Sequence, residues 1–331
     1  MRSASGLEAE LSRVRDGYSA AAPAVREGLG VPDRTGATGY PGSRSAAWPE
    51  QGGGCGNPKC SRGWMKAWKD RRRPMFERKW GCGPRCVQIM VEAAVQRELG
   101  AGGAGEDAGQ HRHRVPLGLV LLGQGWITHP QLQHALEVQR RAGGGTIGRW
   151  LIDECGLDEG RVTRALSMQW SCPVLSMEGF DPAAMALAAP RALVERLGLV
   201  PLRMAAERIL YLAFEDRMDA SAAFAMERMS GLKVQSGLMD GTQLKRAREQ
   251  LLKSDFVDAT LEQVSDAEAM TRKLATALCE LRPRASRLVR VHQFYWMRMW
   301  LERGAMRSGD GGVPATREDV ADRIYTIGFE H

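Results

Sequence analysis

The feature that most constrains this chain is an internal duplication. LGLVLLGQGWITHPQLQHALEVQ, from Leu117 to Gln139, and IGRWLIDECGLDEGRVTRALSMQ, from Ile147 to Gln169, superpose on a shift of thirty residues. The shift puts Gly118 on Gly148, Leu121 and Leu122 on Leu151 and Ile152, and Ile127 on Leu157. It also puts Leu132 on Val162, Ala135 and Leu136 on Ala165 and Leu166, and Gln139 on Gln169. Two copies of one unit are the simplest reading.

Each copy reads as a short helix, a turn and a longer helix. Pro116 suits an opening helical position and Gly125 a left-handed stop. Thr128, with Gln131 three residues on, has the capping-box pattern, and Asp158 caps the equivalent helix of the second copy. Leu132, Ala135, Leu136 and Gln139 lie three and four apart, so one face carries an apolar stripe that ends in a carboxamide, repeated at Gln169. Paired helices burying one another account for the leucines. They do not account for an amide at the end of both stripes, because a half-buried amide needs partners for its donors and its acceptor. A polar ligand would supply them.

This pattern of Leu-Gly, two apolar residues, Gly, an apolar residue, then Leu, Leu and Gln resembles the N-terminal (MshEN-type, GspE N-terminal) domain of type II secretion and type IV pilus assembly ATPases. The resemblance continues from Trp170 to about Leu252, with Leu199 to Arg203 before a strand from Ile209 to Phe214, and Gly231 to Gln235 opening the last strand. It covers roughly residues 114–252. It implies a regulatory and docking domain, in several members a receptor for cyclic di-GMP. In such receptors the glycines let the backbone approach the dinucleotide, apolar side chains cover the bases and the glutamines hydrogen-bond. Carried over, this nominates Leu117, Gly118, Leu121, Leu122, Gly125 and Gln139, then Ile147, Gly148, Leu151, Ile152 and Gln169. Family binders usually have Arg before Leu-Gly, where this chain has Pro116 and Thr146, and Cys155 stands where the first copy has Gly125. The spacer from Arg140 to Gly145 is a residue longer than usual. A phosphate-bearing ligand needs cationic or amide donors, and Arg114, Arg140, Arg141 and Arg149 are the cations near enough in sequence.

The chain's formal net charge of +7 is local. Between Cys55 and Cys86 ten Lys or Arg face only Asp70 and Glu77, and the remainder is close to neutral. In that segment Cys55 and Cys60 enclose Gly56 and Pro58, Cys82 and Cys86 enclose Gly83 and Pro84, and a helix follows from about Pro84 to Leu99. Two cysteine pairs on tight turns, the second running into a helix, suit a tetrahedral structural zinc with no open position. The arrangement resembles a treble clef with both pairs spaced more widely than usual. Its core is too small to fold alone, so the metal would supply most of its stability. Lys59, Arg62, Lys66, Lys69, Arg71, Arg72, Arg73, Arg78, Lys79 and Arg85, interleaved with Trp64, Trp68 and Trp80, fit either a nucleic-acid backbone with stacked bases or a solvated basic face. A polyanionic or acidic-protein partner fits equally.

At 331 residues the expected fold class is α+β multidomain. The expectation is a disordered segment over 1–50, a four-cysteine zinc module over 51–100, a linker over 101–113 and the duplicated helical unit with a small α/β sandwich over 114–252. An α+β extension of unread role covers 253–331. In the extension, Ser265 is placed to cap a helix to Leu281, Ser286 to Leu301 reads as one strand or two, and Phe294, Tyr295, Trp296 and Trp300 read as core. Asp216 and Asp219 flank a turn and take a structural role. No apolar run is long enough to cross a bilayer and no signal peptide opens the chain, so it is expected to be cytoplasmic, with its seven cysteines reduced or metal-bound. No phosphate-binding loop with its Lys-Ser/Thr, hydrolase elbow or His–carboxylate motif is present, so no ATPase or other enzyme is expected. The expected function is a regulator or adaptor that binds cyclic di-GMP or docks a secretion- or pilus-system partner. The rival is a zinc-dependent nucleic-acid-binding regulator acting through residues 59–85.

Overall fold

A computed structural model describes residues 55–61, 73–101, 114–206, 208–302 and 312–328. The expectations for residues 1–50, for the linker up to His113, and for Arg62, Trp64, Lys66, Trp68, Lys69, Arg71 and Arg72 lie outside the described residues. Residues 114–169 form one compact unit; residues 55–101 and those from Trp170 onward form a second.

In the cysteine-bearing segment, strands β1 (Met75–Phe76) and β2 (Lys79–Trp80) pair antiparallel. Glu77 and Arg78 between them both take positive φ, 46° and 66°, the handedness that lets a two-residue hairpin follow the strand twist. Helix α1 (Pro84–Ala101) starts on proline, whose fixed φ suits a first turn. Val87, Val91, Ala94 and Val95 recur three and four apart on it and are all buried.

The duplicated unit consists of α2 (Leu117–Gly123), α3 (His129–Ala142), α4 (Ile147–Cys155) and α5 (Glu159–Trp170). Thr128 and Gln131 make the expected capping box of α3, and Asp158 accepts from the Arg161 backbone N–H at 3.1 Å to start α5. Leu121, Leu151, Ala135 and Ala165 are fully enclosed at matching positions of the two copies. The left-handed stop is kept in both: Gly125 has φ 67°, and the second copy moves it one residue on, to Gly156 at φ 64°. Cys155 therefore ends α4 as an ordinary helical residue.

The second unit continues with α6 (Pro182–Ala186) and α7 (Arg191–Leu197), then strands β3 (Val200–Ala205) and β4 (Ile209–Phe214), helix α8 (Ala220–Ser230), strand β5 (Lys233–Leu238) and helix α9 (Gly241–Leu252). The sheet runs β3-β4-β5, antiparallel then parallel, with α8 as the crossover of the parallel pair. Asp219 caps α8 by accepting from the Ala222 N–H at 2.9 Å, the structural role expected of it. The last strand, expected to open between Gly231 and Gln235, runs over Lys233–Leu238, and Leu199 to Arg203, given no assignment from sequence, supplies most of β3.

Beyond α9 come β6 (Ala259–Val264), α10 (Ala267–Leu281), β7 (Ala285–Val291), β8 (Phe294–Trp300) and β9 (Val320–Ile327), in a sheet of order β6-β9-β8-β7. The cap of α10 is Asp266, which accepts from the Ala269 N–H at 2.7 Å, one residue after the Ser265 expected there. Ser265 instead donates to the Asp266 carboxylate. Every residue of β8 is buried. Tyr295, Met297 and Met299 share a core with α1 and α10, while on the other face Arg298 donates to the Leu187 and Ala188 carbonyls just after α6. A strand covered on both sides has no reason to alternate apolar with polar residues, which explains the unbroken aromatic run.

Candidate functional site

Both amides of the repeated stripe are met by backbone carbonyls. The Gln139 Nε2 donates to the Gly145 carbonyl at 2.7 Å, and the Gln169 Nε2 donates to the Val115 carbonyl at 2.7 Å. Gly145 lies two residues before Ile147, and Val115 two residues before Leu117. Each glutamine therefore holds the entry to the other copy's first helix, and the two bonds are exchanged by the same thirty-residue shift that superposes the sequences. The backbone supplies one of the partners that a half-buried amide requires.

The paired glycines are explained by close packing. A Cβ on Gly118 would stand 2.7 Å from the Leu132 side chain, and a Cβ on Gly148 would stand 2.9 Å from that of Val162. These are again matching contacts, first helix against second helix within one copy. Leu117, Gly118, Leu121, Gly148 and Leu151 are buried. Leu122, Ile147 and Ile152 are half-buried, and Gly125 and Arg149 are exposed. Arg149 donates through Nε to Asp153 at 2.8 Å, one turn on, and Arg140 and Arg141 are exposed in the last turn of α3. The Trp150 Nε1, which sequence reasoning did not single out, donates to the Gly144 carbonyl at 3.0 Å.

In the other unit, Cys55, Cys60, Cys82 and Cys86 converge as expected: their sulfurs all lie within 4.8 Å of one another. Cys60 to Cys82 and Cys82 to Cys86 each measure 3.5 Å. A tetrahedral ion with sulfur bonds of about 2.3 Å separates its ligands by roughly 3.8 Å, so the four sulfurs fit one thiophilic cation. Sequence reasoning missed Asn57. Its Nδ2 donates to the Cys86 Sγ at 3.2 Å, its Oδ1 accepts from the Lys59 N–H at 2.9 Å, and the Cys82 N–H donates to the Cys55 Sγ at 3.4 Å. Donors aimed at sulfur favour the thiolate that a metal needs. Burial, then hydrogen bonding from the neighbouring thiols, pushes the Cys82 thiol up to about 12. Burial also raises Cys55. At Cys86 burial is outweighed by the Asn57 amide and the adjacent thiols, and the group falls below the ordinary thiol range. The four groups together can hold a metal ion; the donor set alone does not name it.

Arg73 stacks over Trp80 at 4.3 Å, and the nucleic-acid reading of this segment finds no further support among the described residues.

The doubled motif is closed by the same bonds in both copies, so the internal repeat read in the sequence is also a repeat of structure. Neither a protein-family model nor a curated protein matches the chain. Among solved structures the chain is similar to MshE with cdg, at 25% identity and a TM-score of 0.35, over 42% of this chain and 99% of that one. It is also similar to the N-terminal domain of XpsE, at 16% identity and a TM-score of 0.30, over 41% of this chain and 92% of that one.

Proposed function

We propose that this chain is a non-enzymatic cytoplasmic regulator or adaptor whose duplicated unit binds cyclic di-GMP, one motif to each half of the ligand. The supporting observation is the reciprocal closure of the two copies by Gln139 and Gln169, which makes the two motifs of one chain equivalent. Cyclic di-GMP is itself two identical nucleotides, so equivalent motifs match its symmetry. Leu122, Ile147 and Ile152 are the apolar motif side chains left partly exposed for a base to cover, while Leu117, Leu121 and Leu151 are buried. Arg149 is a cation of the second motif's first helix, and a phosphate must draw it from Asp153. In this reading the four-cysteine centre holds zinc in a structural role. No helix among the described residues is long and apolar enough to cross a membrane.

A thermal-shift screen of the full chain with zinc present tests the proposal. Cyclic di-GMP is expected to raise the melting temperature where GMP, lacking the second half, does not. An unchanged melting temperature rejects the dinucleotide and leaves docking to a secretion- or pilus-system protein as the role of the domain.

A further inference from the structure

The four-cysteine centre looks in sequence like a detachable finger, but the structure builds it into the folded unit beside it. The β1 edge continues onto β7: the Met75 N–H donates to the Pro283 carbonyl at 3.1 Å and the Glu77 N–H to the Ser286 carbonyl at 2.9 Å. The buried Ser286 hydroxyl returns a bond to the Met75 carbonyl at 2.7 Å. Phe76 of the hairpin and the valines of α1 belong to one apolar core with α10 and β8.

A second, ionic joint lies at the far end of α1. Glu98 is 2% exposed, and a carboxylate that deep requires partners from every side. It receives Arg97 at 3.0 Å from its own helix, Arg228 at 3.0 Å from α8, and the Arg290 backbone N–H at 3.0 Å from β7. Arg290 also donates to the Leu99 carbonyl at 3.3 Å, at the end of the same helix. One end of α1 carries two cysteines of the metal cluster, Cys82 just before it and Cys86 within it; the other end carries this hub. The helix is thus a rod between the four-cysteine cluster and α8, the crossover helix of the parallel pair β4-β5.

We propose that the metal held by Cys55, Cys60, Cys82 and Cys86 is a folding cofactor for the whole second unit, transmitted through α1 and Glu98 to β7 and α8. Residues 55–61 and 73–101 are a layer of that unit and do not act as an independent module. Binding the ion fixes the start of α1; docking of α1 completes the core under β8 and supplies the carboxylate that Arg228 and Arg290 close upon. This does not depend on dinucleotide binding, whose residues lie in the other unit, so either claim can fail without the other.

The test is amide hydrogen exchange on the full chain, as purified with Zn2+ and again after stripping with EDTA, with metal content measured in both. The expected result is one ion per chain, and on its removal a loss of protection in β7 and α8 of about tenfold or more, alongside that in residues 73–101. Protection lost only in residues 73–101, with β7 and α8 unchanged, overturns the proposal, as does a full chain that binds neither Zn2+ nor Co2+. Glu98→Gln tests the route: it should keep the metal and its Co2+–thiolate absorption yet lose protection in α8 and β7. Unchanged protection there removes Glu98 from the path. Because EDTA acts on protein already folded, the test stands even where a cysteine variant fails to fold.

Discussion

Gln139 and Gln169 are each tied to a backbone carbonyl of the opposite copy, and removing either leaves that carbonyl without its bond. Gln139→Ala and Gln169→Ala are each expected to lower stability by about 1 kcal/mol. Similar losses in urea unfolding are the mark of the symmetry; a large loss at one site with none at the other contradicts it. Gly118→Val and Gly148→Val overfill the contacts with Leu132 and Val162 and should cost about 1–3 kcal/mol each. A larger penalty belongs to Asp322, which is fully buried and receives Arg298 at 2.7 Å and 2.9 Å and the Trp296 Nε1 at 2.9 Å. Asp322→Ala leaves that guanidinium in a dry core without its counter-charge and should cost about 3–5 kcal/mol, read as a fall in melting temperature. The repeat of the amides was legible in the sequence. Their receptors were not, since a backbone carbonyl leaves no signature in residue identity, and so a ligand was invoked for bonds that the other copy supplies in part.

Among the elements, the four-cysteine cluster was the most legible, because four soft donors on two tight turns have few uses other than holding a metal. Its thiols must shed protons to ligate, and burial and the neighbouring thiols hold Cys82 up to about 12, so it carries its proton at neutral pH until a metal displaces it. Apparent metal affinity should therefore fall as pH is lowered, by up to about tenfold per pH unit for each proton released. Competition with a chromophoric chelator between pH 8 and 6 measures it, and an affinity independent of pH contradicts thiolate ligation. What packs against the centre was hidden: Met75 and Ser286 bond across 211 positions of sequence, a pairing that no local pattern encodes. Strand β6 went unread for a different reason. It is an edge strand with Ala259, Thr260 and Leu261 all exposed, so it lacks the alternation that marks a half-buried strand.

At the scale of the whole molecule, the chain folds as two units whose border falls at Gln169, inside the segment that the sequence resemblance treats as one domain. Residues 170–252 share their unit with both the cysteine-bearing layer and the extension, joined by Arg298 to the Leu187 carbonyl and by Arg287 to the carbonyls that end α8. A fragment cut at residue 252 would expose the face that β8 covers, so ligand measurements belong on the full chain. If two copies of one helical unit form a single site for a two-fold ligand, titration calorimetry with cyclic di-GMP on the full chain reads it out. The expected stoichiometry is one dinucleotide per chain, with binding weakened to a like degree by Leu122→Glu and by Ile152→Glu. No heat at ligand concentrations of about 100 μM, where a Kd of that order corresponds to roughly −5.5 kcal/mol, would contradict it, as would binding that only one of the two substitutions disturbs.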